Sequence, residues 1–147
     1  MSTLRVTGSL VVPASPERAW AVWSRVEDWP RWDWMGSAGA RWVSGAPWTV
    51  GSVLRNGHGP GRFDCLLVRA DPPREVSWEG GGFGIRGRHT FRFLPDPGGC
   101  RIESSEVFTG IGARSMRPLV RWFWRRQLMA FRRHLVAAGS TPPARPG

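Results

Sequence analysis

Two side chains able to move protons are spaced as partners. In GRHTFRFL (87–94), His89, Phe91 and Phe93 fall on one face of an extended chain and Thr90, Arg92 and Leu94 on the other. In CRIESSEVFTG (100–110), Ile102, Ser104, Glu106 and Phe108 share a face. The phenylalanines and Ile102 mark those faces as internal. The segment PDPGG (95–99) between them is turn punctuation, so the two stretches form an antiparallel hairpin. A turn centred there sets His89 opposite Glu106, or within one residue of it. A buried Glu–His pair is a plausible acid/base unit: the carboxylate orients the imidazole and stabilises its cation, and the imidazole moves a proton. The competing expectation is that the two simply satisfy each other as buried polar groups.

Arg55 is the next candidate. In GSVLRNG (51–57) either Val53 and Arg55 or Leu54 and Asn56 face inward. An internal Arg55 would bind a carboxylate or enolate through two parallel hydrogen bonds; at the surface it would be an ordinary charge. In RFDCLLVRAD (62–71), Phe63, Cys65 and Leu67 share a face opposite Asp64, Leu66 and Val68.

Other chemistries find little support. His58, His89 and His134 with Cys65 and Cys100 are not spaced as ligands on one element, so no metal or cofactor is expected. His58 lies in a GHGPG loop (57–61). GGGFG (80–84) has no strand-to-helix context and reads as a flexible turn, not a phosphate cradle. No Gly-x-Ser-x-Gly nucleophile turn occurs.

The elements that position these residues follow from periodicity. LRVTGSLVV (4–12) alternates as a half-buried strand ended by Pro13. Ser15-Pro16-Glu17 then opens a helix, with Ser as N-cap, Pro at the first helical position and an acid in the first turn. Ala19, Trp20, Trp23 and Val26 follow at helical spacing, and Pro30 turns EDWPRWDWM (27–35) into a second short helix or a tight corner. From residue 40 the chain reads as six strands cut by Gly and Pro, too closely spaced for crossover helices and therefore sequential and antiparallel. From Pro118 to about Ala138 no Gly or Pro intrudes, and Val120, Trp124, Leu128, Phe131 and Leu135 form one apolar stripe. Arg117, Arg121, Arg125 and Arg132 flank it on one side, with Arg126 and Arg133 on the far side. Residues 1–138 are expected to be one α+β domain, and 139–147 (GSTPPARPG) a disordered tail.

Composition narrows the classes further. The 147 residues include ten Trp and no Tyr, and all 21 basic residues are Arg. Thirteen Arg and eleven acids precede residue 107; eight Arg and no acid follow it. The basic excess therefore belongs to the C-terminal segment and calls for a partner or a reason. No run of eighteen apolar residues is present, and the N-terminus reads as a strand, not a signal peptide. Two cysteines make no disulfide framework, and a cytoplasmic location is expected.

Three stretches resemble the helix-grip superfamily of START-like, Bet v 1-like (SRPBCC) proteins, in its polyketide cyclase/dehydrase branch. They are ASPERAWAVWSRVEDWPRWDW (14–34), GIRGRHTFRFLP (84–95) and RIESSEVFTG (101–110). The resemblance implies a curved seven-stranded antiparallel sheet wrapped around a long C-terminal helix, with two short helices between strands 1 and 2. It implies an apolar cavity between sheet and helix and a helix-pair corner near its mouth. On that footing Trp20 and Trp23 are core, Trp29 and Trp32 are candidates for the mouth, and Trp34 fits either role. The expected ligand-binding set is Trp29, Trp32, Arg55, Phe63, Trp78, Phe91, Phe108, Trp124 and Leu128, with His89 and Glu106 as the catalytic candidates. The implied ligand is a hydrophobic small molecule, and the implied activity a cofactor-independent cyclase or dehydratase acting on a natural-product intermediate. The alternative is a carrier or sensor of a lipid, terpenoid or quinone. For the basic helix the readings are a solvated flank, docking of an acidic carrier protein on Arg117, Arg121 and Arg125, or an anionic membrane surface. Nucleic acid is not expected, since no recognition fold is visible.

Overall fold

The structure is a computed structural model and describes residues 2–33, 39–57, 62–82 and 84–139. Seven strands run β1 Ser2–Val12, β2 Ala40–Ser44, β3 Val53–Asn56, β4 Phe63–Asp71, β5 Glu75–Gly82, β6 Ile85–Asp96 and β7 Gly99–Gly110. They form one antiparallel sheet in the order β1-β7-β6-β5-β4-β3-β2. The sequential meander is what short Gly/Pro turns dictate; the first strand then returns to pair along β7, from Ser2 opposite Gly110 to Val12 opposite Cys100. Register shifts at Trp42/Ser44 and Leu67/Arg69 bend β2–β5. The β6–β7 turn needs Gly99: its φ is +126°, and a Cβ there would lie 2.5 Å from the Val12 carbonyl oxygen.

The helix α1 (Pro16–Trp23) starts where the sequence places it, with the Ser15 hydroxyl accepting a hydrogen bond from the Arg18 amide at 3.1 Å. A 3-10 helix over Val26–Arg31 carries Pro30 and makes the corner. The long helix α2 spans Arg117–Gly139. Its stripe is as spaced in the sequence: Val120, Leu128, Phe131 and Leu135 are buried and Trp124 is half-buried. A short 3-10 helix, Ala113–Met116, precedes α2 and has no periodic signature to announce it.

Two expectations change. Gly80–Gly82 are strand residues, paired with Gly87, Arg86 and Ile85, because the hairpin ladder runs on past its weak local propensity. Of the corner tryptophans expected near a mouth, Trp29 is buried in the core and Trp32 is half-buried against it. Trp29 is 7% exposed, and its indole N–H donates to the Trp23 carbonyl at 2.7 Å. Trp32 packs on Phe131 with ring centres 5.2 Å apart. Trp34, His58 and the tail 140–147 lie outside the described residues.

Trp23 is the centre of the main core. Its ring lies within 6.1 Å, centre to centre, of Trp20, Trp29, Trp48, Trp78, Phe91 and Phe93. Such rings gain both buried area and favourable tilted or edge contacts. A smaller cluster of Leu4, Val6, Ala113 and Val120 closes the other end, and Trp124 packs against both clusters. The α2 helix is tied to the filled side by the Trp32–Phe131 contact and by Gln127, whose amide donates to Asp33 at 2.8 Å.

Candidate functional site

β6 and β7 set His89 directly opposite Glu106, as the hairpin requires. The hydrogen bond expected between them does not form. His89 Nε2 instead bonds the Ser104 hydroxyl at 2.8 Å. Glu106 Oε2 accepts from the indole N–H of Trp124. Each polar group therefore has its own partner, and the carboxylate does not orient the imidazole.

Burial sets the charge of both. His89 is 3% exposed, between Phe91 and Trp124, with ring centres 4.2 Å and 4.0 Å away. Desolvation pushes its imidazole down to about 3, so it is neutral at pH 7. Desolvation pushes Glu106 up to about 7, with the Trp124 hydrogen bond pulling weakly the other way. Glu106 is half-buried, and among the described residues its Oε1 receives no hydrogen bond. Gly87 stands beside it, where a Cβ would lie 3.7 Å from Oε1.

A groove of about 1120 Å³ opens between β1 and α2. Val6, Gly8, Leu10 and Ser104 make its floor; Trp124, Leu128, Met129 and Val136 make its wall. Gly8 leaves room, since nothing lies within 4 Å of a Cβ built there. Arg121, Arg125, Arg132 and Arg133 also line it. Ser104 and Trp124 belong to the groove and to the polar pair at once. They put His89 and Glu106 one side chain away from the space.

The remaining sequence candidates divide cleanly. Trp124 and Leu128 line the groove. Trp78 and Phe91 are buried in the aromatic core, and Phe108 is half-buried on the smaller cluster. Arg55 faces outward: its guanidinium holds Asp64, directly opposite on β4, through bonds of 2.7 and 3.0 Å. The pair raises the Arg55 pKa and lowers that of Asp64. Phe63, at the start of β4, is 51% exposed and lines no part of the groove. Arg121 and Arg125 of the expected docking flank lie on the groove, and Arg117 joins Arg5, Arg114, Thr3 and Leu4 around a pocket of about 300 Å³. Sequence reasoning missed Gly8, Leu10, Met129 and Val136. The one available signal was Gly8, a missing side chain in an otherwise regular strand. Both cysteines are free and buried, and among the described residues no group of His, Cys, Asp and Glu could hold a metal. No helix among the described residues is long and apolar enough to cross a membrane.

Residues 3–138 match the family described as polyketide cyclase / dehydrase and lipid transport. The chain belongs to that family. Its sheet, corner and long helix are the helix-grip fold of the Bet v 1-like superfamily. None of the curated proteins matches it in sequence. Among solved structures it is similar to MLL2253 from Mesorhizobium loti, at TM-score 0.75 and 16% identity over 94% of this chain and all of that one. Norcoclaurine synthase from Thalictrum flavum, solved in complex with dopamine and hydroxybenzaldehyde, aligns at TM-score 0.71 and 17% identity over 96% of this chain and 90% of that one. DynU16, from the dynemicin biosynthetic locus, aligns at TM-score 0.71 and 18% identity over 92% of this chain and 48% of that one. At such identities the likeness concerns the fold. Family and fold together make this a ligand-binding protein of the superfamily.

Proposed function

We propose that this family member is an acid/base enzyme of the cyclase or dehydratase type, with Glu106 as its proton-transfer group and the β1–α2 groove as its substrate site. The supporting observation is the Trp124 indole. It is a wall of the groove and also holds one oxygen of Glu106, leaving the other to exchange a proton. A carboxyl titrating near neutrality keeps both forms populated, which suits a group that first takes and then returns a proton. Glu106 would remove the proton alpha to a substrate ketone and return it to a departing hydroxyl, which leaves as water. His89, too desolvated to carry a charge, is a positioning residue acting through Ser104. The apolar groove would contribute by folding a flexible substrate into a reactive shape.

A second reading is a carrier without chemistry. It is favoured by one observation: neither His89 nor Glu106 itself lines the groove. Deuterium incorporation separates the two. An aromatic β-diketone is incubated with the protein in heavy water and its mass is followed. The enzyme reading expects catalysed exchange that Glu106→Gln slows by about a hundredfold or more while affinity is unchanged. The glutamine can still accept from Trp124, so the fold should hold. Exchange no faster than in buffer, or equal in the two proteins, leaves only the carrier.

A further inference from the structure

We infer that the groove takes an anionic amphiphile: an elongated apolar molecule whose single acidic group is held by Arg121 and Arg125. The inference rests on the groove being the ligand site.

The argument is one of unmatched charge along an apolar slot. On the outer face of the sheet five arginines have acids, while among the described residues Arg5, Arg41 and Arg86 have none. Arg55 holds Asp64, Arg88 holds Glu79, Arg92 and Arg69 share Glu75, and Arg101 holds Asp96. The groove differs. Among the described residues Arg121, Arg125, Arg132 and Arg133 have no carboxylate within ion-pair distance, and no acid occurs after Glu106 to supply one. Arg121 and Arg125 stand one helical turn apart on the same flank, so they repel each other while empty and can converge on one carboxylate, sulfate or phosphate. Beneath them the surface is apolar: Leu10, Leu128, Met129 and Val136. From Arg121 to Val136 the helix offers about 22 Å of length, enough for an extended chain. Met129 and Val136 are 43% and 45% exposed, which an apolar tail along the groove would cover. A neutral hydrocarbon would leave the arginines unmatched, and a small polar anion would leave the slot uncovered.

The test compares dodecanoate with dodecanol, below their aggregation limits, by titration against tryptophan fluorescence. The expected result is tighter binding of the acid by about tenfold, weakening as salt is added. The Arg121→Gln/Arg125→Gln variant should remove that preference and leave dodecanol affinity unchanged. Gly8→Leu, which fills the floor of the groove, should abolish binding of both. Equal affinity for acid and alcohol, with Gly8→Leu still blocking both, would overturn the anionic preference alone. Binding of neither, or binding indifferent to Gly8→Leu, would overturn the groove as ligand site as well. Vesicles of phosphatidylglycerol form the last arm. Flotation with them that survives Gly8→Leu and is lost in the arginine variant assigns these arginines to a membrane surface and overturns the inference.

Discussion

The inner face of the sheet is filled on one side and vacant on the other. On the β5–β6 side α1 and the corner pack Trp23, Trp29, Trp48, Trp78, Phe91 and Phe93 into one aromatic core. Over β1 it is covered by α2 and the short 3-10 helix before it, and a groove remains between β1 and α2. The same fold thus uses its large side chains to close one half and a glycine, Gly8, to open the other. His89, Trp124 and Glu106 stand on the boundary. There the packing is tight enough to shift both titrating groups, and the space is close enough for a ligand to meet Trp124. The difference teaches that a tryptophan-rich sequence can spend its rings on packing: Trp23, Trp29, Trp48 and Trp78 belong to the aromatic core, and Trp124 lines the groove.

Mutation should expose that contrast. The largest effect is expected from Trp23→Ala, which removes the ring at the centre of the filled half and costs about 3–5 kcal/mol of stability. Urea unfolding reads it as a lowered midpoint. A loss below about 1 kcal/mol would mean that the rings are not a packed core.

The boundary should show in the pH dependence. Glu106 has a folded pKa of about 7 against an ordinary 4.5, so from pH 4.5 to 7 the folded state holds a proton that the unfolded chain has released. Stability then falls as pH rises, by about 1.4 kcal/mol per pH unit. His89 has a folded pKa of about 3 against 6.5, so from pH 3 to 6.5 the unfolded chain holds the extra proton and stability rises with pH. Between pH 4.5 and 6.5 the two slopes oppose each other, and wild-type stability should be nearly flat. Glu106→Gln should replace that plateau with a rise. Parallel profiles for the two proteins would contradict the assignment. The smallest effect belongs to the vacant half: Gly8→Leu should change stability by no more than about 0.5 kcal/mol, because the added side chain enters open space.

Much of this arrangement was legible in the sequence. Alternation and turn residues fixed the strands, and the PDPGG turn fixed the His89–Glu106 register. The α2 stripe and its arginine flank followed from helical spacing. What could not be read was where long side chains reach once the elements pack. Glu106 bonds Trp124 from α2, not the histidine across from it. Arg55 could face either way until Asp64 was placed opposite it on β4. The contacts of α2 with Trp32 and Asp33 are tertiary ones with no local signature. Such contacts override pattern because they join residues distant in the chain.

The central claim is that Glu106 is a proton-exchanging carboxyl at the edge of the groove. It is tested most directly by following the side-chain carboxyl carbon of Glu106 by NMR in protein labelled with carbon-13 glutamate, assigned by loss of its signal in Glu106→Gln. The account predicts a midpoint near pH 7. A midpoint near the ordinary glutamate value of 4.5 would show a solvated, fully ionised carboxylate and would contradict it.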